Sequence, residues 1–143
     1  MFKLKKIINK HNNAPELEIQ EMSSSCIGEP EFVYYLSNGE LTNTRPDDDS
    51  EILYYLSYAE IGEMDMERSA KCLRITSDML FEVTCTSDTM PSRGDKFIIA
   101  SDVERTGYDK VKKADSTTSD GYYVNVDDWH KTKKVHVRFH CKQ

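Results

Sequence analysis

The sequence predicts an all-β fold, a small antiparallel β-sandwich or barrel with an extended N-terminal arm. From Glu31 onward, short runs rich in Tyr, Val, Ile, Phe and Thr are separated by polar turns. One such turn, Ser37-Asn38-Gly39-Glu40, sets Asn-Gly between two runs, the pair that best supplies the two positive-φ positions of a tight hairpin. Helical periodicity is almost absent.

Residues 1–30 differ from the rest. The opening Phe2-Lys3-Leu4-Lys5-Lys6-Ile7-Ile8 leads to His11-Asn12-Asn13-Ala14-Pro15, an acidic stretch from Glu16 to Glu21, and Ser23-Ser24-Ser25, with little sustained period of either kind. This predicts an arm, in which Phe2, Leu4, Ile7 and Ile8 alternate with lysines as in a short strand or one helical turn that orders only against a partner, so that removing residues 1–14 would leave the stability of a 31–143 β-domain nearly unchanged.

Within that domain Glu31 to Leu36 is the first strand, and Leu41 to Thr44 returns after the hairpin. A loop from Arg45 to Ser50 precedes Glu51 to Ala59, whose Ile52, Leu53, Tyr54, Tyr55, Leu56 and Tyr58 make it apolar enough for a central strand. Lys71 to Thr76 and Leu80 to Thr86 follow, the latter with Met79, Phe81, Val83 and Cys85 on one face. Pro91-Ser92-Arg93-Gly94-Asp95 turns the chain into Lys96 to Ala100. Gly107 to Val111, Tyr122 to Asp127 and Lys133 to His140 complete the series, the last with Val135, Val137 and Phe139 opposite Lys134, His136, Arg138 and His140. The pairs Tyr34-Tyr35, Tyr54-Tyr55 and Tyr122-Tyr123 should each send one ring to the core and one to the surface.

A length of 143 residues fits one domain. Runs such as Phe97-Ile98-Ile99-Ala100 fall far short of the roughly 20 apolar residues of a membrane span. The start has no signal-peptide core, which predicts a protein that stays in the cytoplasm where it is made. Cys26, Cys72, Cys85 and Cys141 form no Cys-x-x-Cys pair and are expected as free thiols, mostly small buried hydrophobes. The net charge of −6 is unevenly spread: +4 over residues 1–14, −13 over 15–67 and +3 over 68–143. The acidic middle disfavours binding of nucleic acid by the domain as a whole.

The polar residues fall into no nucleophile elbow, phosphate loop or dinucleotide fingerprint, so no enzymatic activity and no cofactor are expected. Asp47-Asp48-Asp49 lacks the alternating spacing of a calcium loop and reads as a solvated turn, as does Asp127-Asp128. His136, His140 and Cys141 offer zinc-type ligands, but an i, i+4 spacing on a strand separates side chains by roughly 13 Å at about 3.3 Å per residue. No metal site is expected there. Trp129 reads as a loop aromatic covering a core edge.

The order of these features resembles the small capsid decoration, or cement, proteins of tailed bacteriophages of Gram-positive gut bacteria. The resemblance runs through a basic opening like Phe2 to Lys10 with Asn12-Asn13-Ala14-Pro15, and a hairpin like Leu36-Ser37-Asn38-Gly39-Glu40-Leu41-Thr42. It continues with a segment like Leu73 to Val83, a turn and strand like Arg93-Gly94-Asp95-Lys96-Phe97, and a closing strand like Val135 to Phe139. The acidic Glu51 to Arg68 stretch is longer and more charged than that pattern.

The resemblance implies a non-enzymatic virion protein on the capsid exterior that binds the major capsid protein lattice and stabilises the head by binding only its assembled state. Self-association as a trimer would match a threefold lattice position, with no nucleic acid or membrane as partner. In the arm, Phe2, Leu4, Ile7 and Ile8 would anchor and Lys3, Lys5, Lys6 and Lys10 would supply charge at the capsid interface. The alternative is a nucleic-acid-binding β-barrel, with the lysine arm and Lys131, Lys133, Lys134 and Arg138 on phosphates and tyrosines stacking on bases.

Overall fold

The computed structural model describes residues 1–8, 17–23, 30–46, 52–61, 69–101, 107–114 and 118–140. These form β1 (Lys3–Ile7), β2 (Leu17–Met22), β3 (Val33–Ser37), β4 (Glu40–Thr42), β5 (Leu53–Ile61), β6 (Ser69–Arg74), β7 (Met79–Cys85), β8 (Lys96–Ala100), β9 (Lys110–Lys113), β10 (Gly121–Asn125), a single helical turn α1 (Trp129–Thr132) and β11 (Lys134–Phe139). The fold is all-β, as the strand pattern predicts.

The strands close into two small barrels. In the first barrel the order is β2-β4-β3-β5-β6 and back to β2. In the second it is β7-β11-β10-β8-β9, closed by pairing of β9 with the C-terminal end of β7, where Thr84 and Cys85 lie opposite Lys110 and Val111. Two pairings, β2 with β4 and β7 with β9, are parallel, and the others are antiparallel. Asn38 and Gly39 both take positive φ, 53° and 78°, and make the β3–β4 hairpin as the sequence predicts.

Nine of the eleven strands overlap the runs the pattern marks, β9 by only Lys110 and Val111 of the expected Gly107 to Val111. The other two, β1 and β2, lie inside the stretch read as an arm, and this is a correction. β2 is the strand that closes the first barrel, pairing Leu17 to Glu21 with Leu73 to Ser69 of β6. β1 lies antiparallel on β7, with Lys3 opposite Glu82 and Ile7 opposite Met79. Phe2 is 0% exposed, packed between the rings of Phe81 and Phe139 with centroids 6.2 and 5.7 Å away. Leu4 and Ile7 are partly buried against the same core. The alternation of apolar residues with lysines is the half-buried strand pattern, and its core is supplied by strands some 80 residues later in sequence, which no local reading can reveal.

The barrels share a core. Each strand of the first contributes to a small interior of Met22, Tyr34, Leu41, Tyr55, Ala70 and Cys72. The alternate residues of β3, β5 and β6, among them Val33, Tyr35, Tyr54, Leu56 and Leu73, join the larger core of the second barrel with Phe81, Phe97, Tyr123, Val137 and Phe139. Strand β3 and the Leu53 to Ser57 part of β5 are therefore covered on both faces. This corrects the expectation for two of the tyrosine pairs: Tyr34, Tyr35, Tyr54 and Tyr55 are all buried, and only Tyr122-Tyr123 splits between surface and core.

Backbone bonds fasten the junction. Val33 and Tyr108 exchange both N–H···O bonds, at 2.8 and 2.9 Å, across the barrels. The Phe2 amide donates to Glu31 O at 2.9 Å. Gly121 is required by close approach: a Cβ there would lie 2.1 Å from Arg138 O and 2.6 Å from the Phe97 ring.

Phe2→Ala should lower unfolding free energy by about 3–5 kcal/mol, the usual loss for a fully buried phenylalanine. Deleting residues 1–8 should lower the urea midpoint at least as much. An unchanged midpoint in both would return these residues to the status of a free arm.

Candidate functional site

Strand β1 sorts its side chains by period two up to Leu4, and a bulge at Lys5 then shifts the alternation by one residue. The apolar Phe2, Leu4 and Ile7 turn inward, while Lys3, Lys5 and Lys6 are exposed. Ile8 is 45% exposed, beyond the strand, and its amide donates to Asp78 O at 2.8 Å. Lys10 lies outside the described residues. Of the residues expected to contact a capsid, Lys3, Lys5, Lys6 and Ile8 thus remain available at the surface, and Phe2 is committed to the core.

The structure adds partners to those lysines. Glu82, on β7, is flanked by β1 and β11, and Lys5 Nζ, Lys134 Nζ and His136 Nε2 converge on its carboxylate at 3.9, 3.8 and 3.6 Å. One carboxylate facing two lysines and a histidine leaves the outer face of β1-β7-β11 with a surplus of positive charge. Two shallow depressions flank Glu82 and Lys134. One of about 190 Å³ is lined by Asn125, Asp128, Thr132 and His136, and one of about 260 Å³ by Lys3 and Thr84. The alternation in β11 puts Lys134 and His136 on the outward face from sequence alone. Only the sheet order brings them beside β1.

The chain segment that builds the first barrel, residues 17–74, carries thirteen acidic and four basic residues, a balance of −9. The basic face of the second barrel therefore belongs to a molecule of marked charge asymmetry, in the arrangement that orients a protein towards an anionic surface.

A second polar cluster is structural. Asp120, fully buried, accepts from Tyr54 Oη at 2.7 Å through Oδ1 and from the Ile99 amide at 2.9 Å through Oδ2. Tyr35 Oη lies 3.4 Å from both oxygens. The Arg45 guanidinium pairs with Oδ1 and also donates to Ser119 O at 3.2 Å. Burial opposes the charge on Arg45, but Asp120 outweighs it and holds the guanidinium more firmly protonated than usual. Burial first, and the charge of Asp120 second, push the Tyr35 and Tyr54 hydroxyls well above their ordinary range, so both act as neutral donors. No sequence motif announces this cluster, because Tyr35, Arg45, Tyr54 and Asp120 are brought together from two barrels.

The remaining candidates fall as follows. His136 faces Glu82, whereas the His140 ring lies 5.9 Å from that of Tyr122, and Cys141 is outside the described residues. Among the described residues no three His, Cys, Asp or Glu side chains gather as metal ligands. Trp129 is 5% exposed on α1, donates its indole N–H to Cys85 O at 3.2 Å and is covered by Lys133 Nζ at 3.6 Å, an aromatic sealing the core edge as expected. Cys72 and Cys85 are buried free thiols, while Cys26 and Asp47-Asp48-Asp49 lie outside the described residues. None of the described helices is long and apolar enough to cross a membrane.

Compared with known proteins, the chain matches no family model, no curated protein and no solved structure. The class these observations define is an all-β double barrel with a basic outer face.

Two outcomes test the packing around these groups. Asp120→Asn should lower stability by about 3 kcal/mol or more, since it breaks a buried charge pair. Combined with Arg45→Met it should cost less than the sum, and additivity within about 0.5 kcal/mol in denaturant titrations would show that the two side chains do not act together. The alkaline limb follows from Cys72, pushed from 9.0 to about 12 by burial and then by Glu18, and from Tyr55, pushed from 10.0 to about 12 by burial and by Glu18. The folded protein keeps protons that the unfolded chain releases, so stability should be level up to about pH 9 and decline from there to pH 12. A melting temperature that rises across that window would contradict the assignment.

Proposed function

We propose that the protein is a capsid decoration protein of a tailed bacteriophage, a non-enzymatic binding protein that stabilises the head from outside. The order of sequence motifs supports the class. The observation that carries the mode of binding is the convergence of Lys5, Lys134 and His136 on the single carboxylate of Glu82, beside exposed Lys3, on a face of a doubly closed barrel. A rigid face of this kind is pre-organised, so docking orders few side chains and little of the contact energy is lost to entropy. Its excess of positive charge would speed encounter with an acidic patch of the major capsid protein and fix orientation. Self-association as a trimer would present three such faces to a threefold lattice position, multiplying modest contacts into stable attachment.

The test is co-sedimentation with expanded, undecorated heads assembled from a tailed-phage major capsid protein. The wild-type protein should bind saturably. Lys3→Glu/Lys5→Glu/Lys134→Glu should weaken binding by about tenfold or more at low salt and by less at high salt, because screening already removes part of the attraction. Labelled single-stranded DNA should give no saturable binding under the same conditions. Tight DNA binding with no attachment to heads would replace this reading by the nucleic-acid-binding one.

A further inference from the structure

The topology leaves one strand incomplete. Each of β2 to β11 has a partner on both sides, whereas β1 pairs with β7 alone, so that among the described strands it alone has an open edge. Closed barrels otherwise remove edges altogether, and an unpaired row of amides and carbonyls is a template for one more strand. The edge is also held in place. Phe2 and Ile8, at its two ends, donate to Glu31 O and Asp78 O, and the Phe2 ring is locked in the core.

The side chains at this edge decide what can pair with it. Lys3, Lys5 and Lys6 are exposed, and Lys5 is the extra residue of a bulge between Leu4, opposite Phe81, and Lys6, opposite Leu80. A second copy's β1 would bring lysines against lysines, which like-charge repulsion disfavours. The same row favours a strand that carries Glu or Asp, and Lys134 beside Glu82 extends the attraction to one side.

We propose that the open edge of β1 accepts an acidic, extended segment of a protein partner as an additional strand. The main-chain bonds of such an addition supply affinity, and the lysines supply the choice of partner. The inference rests on reading this face as the docking surface and names the chemistry that would occupy it.

A fluorescent peptide alternating Glu and Val, titrated against the full chain, tests it. Saturable binding is expected, weakened by about tenfold when every second peptide amide is N-methylated, since the charge is unchanged but the strand can no longer donate. Outward amides of residues 3–7 should gain hydrogen-exchange protection in the complex, and Lys3→Glu/Lys5→Glu/Lys6→Glu should abolish binding. Equal binding of the N-methylated peptide, or its displacement by oligothymidylate at similar concentration, would overturn strand addition in favour of plain charge attraction. Heads decorated normally while the peptide fails to bind would sink this inference and leave the decoration reading standing. A peptide that binds as described, without any attachment to heads, would do the reverse.

Discussion

The carboxylate of Asp120 has no access to solvent, and its partners come from both barrels. Ile99 belongs to its own barrel, while Tyr35, Arg45 and Tyr54 come from the other. An ionised carboxylate left unpaired inside a protein is costly by several kcal/mol, so the barrels have little freedom to separate or slide. Hydrogen bonds are directional, and the network therefore fixes the register in which the apolar faces meet. Hydrophobic area alone would tolerate several arrangements; a buried charge with four partners tolerates few.

The same junction explains the composition of β3 and β5. From Val33 to Tyr35 and from Tyr54 to Leu56 their residues cannot alternate between core and water because both faces are covered, one by the interior of the first barrel and the other by the second barrel. Tyrosine serves this position well. Tyr35 and Tyr54 contribute large ring area to the shared core, with ring centroids 5.5 Å apart, and carry their hydroxyls to Asp120. Burial that keeps these hydroxyls neutral also keeps them donors, which is what the carboxylate requires.

The charge pattern gains its meaning from the sheet order. Lysines of the N-terminal strand, outweighed in the whole-chain net charge of −6 by the acids that follow, become a face when β1 is laid against β7 and β11 brings Lys134 and His136 to the opposite side of Glu82. Closure of both barrels then makes the β1 edge distinctive. Among the described strands it is the one edge left unpaired, and an unpaired edge is a template for a further strand.

Strand identity was legible in the sequence wherever a local signal sufficed: the Asn38-Gly39 turn, the alternation of Val135, Val137 and Phe139 with Lys134, His136 and Arg138, and the core-edge position of Trp129. The all-β class follows from those signals, because hydrophobic period and turn chemistry act over a few residues. Three matters were decided only by the tertiary structure. The burial of Phe2 depends on Phe81 and Phe139, the double burial of Tyr34-Tyr35 on the presence of a second barrel, and the Asp120 cluster on residues up to 85 positions apart. Period two tells which residues share a face of a strand, but what covers that face is set by the closure of distant strands, and the chain's local pattern carries no record of it.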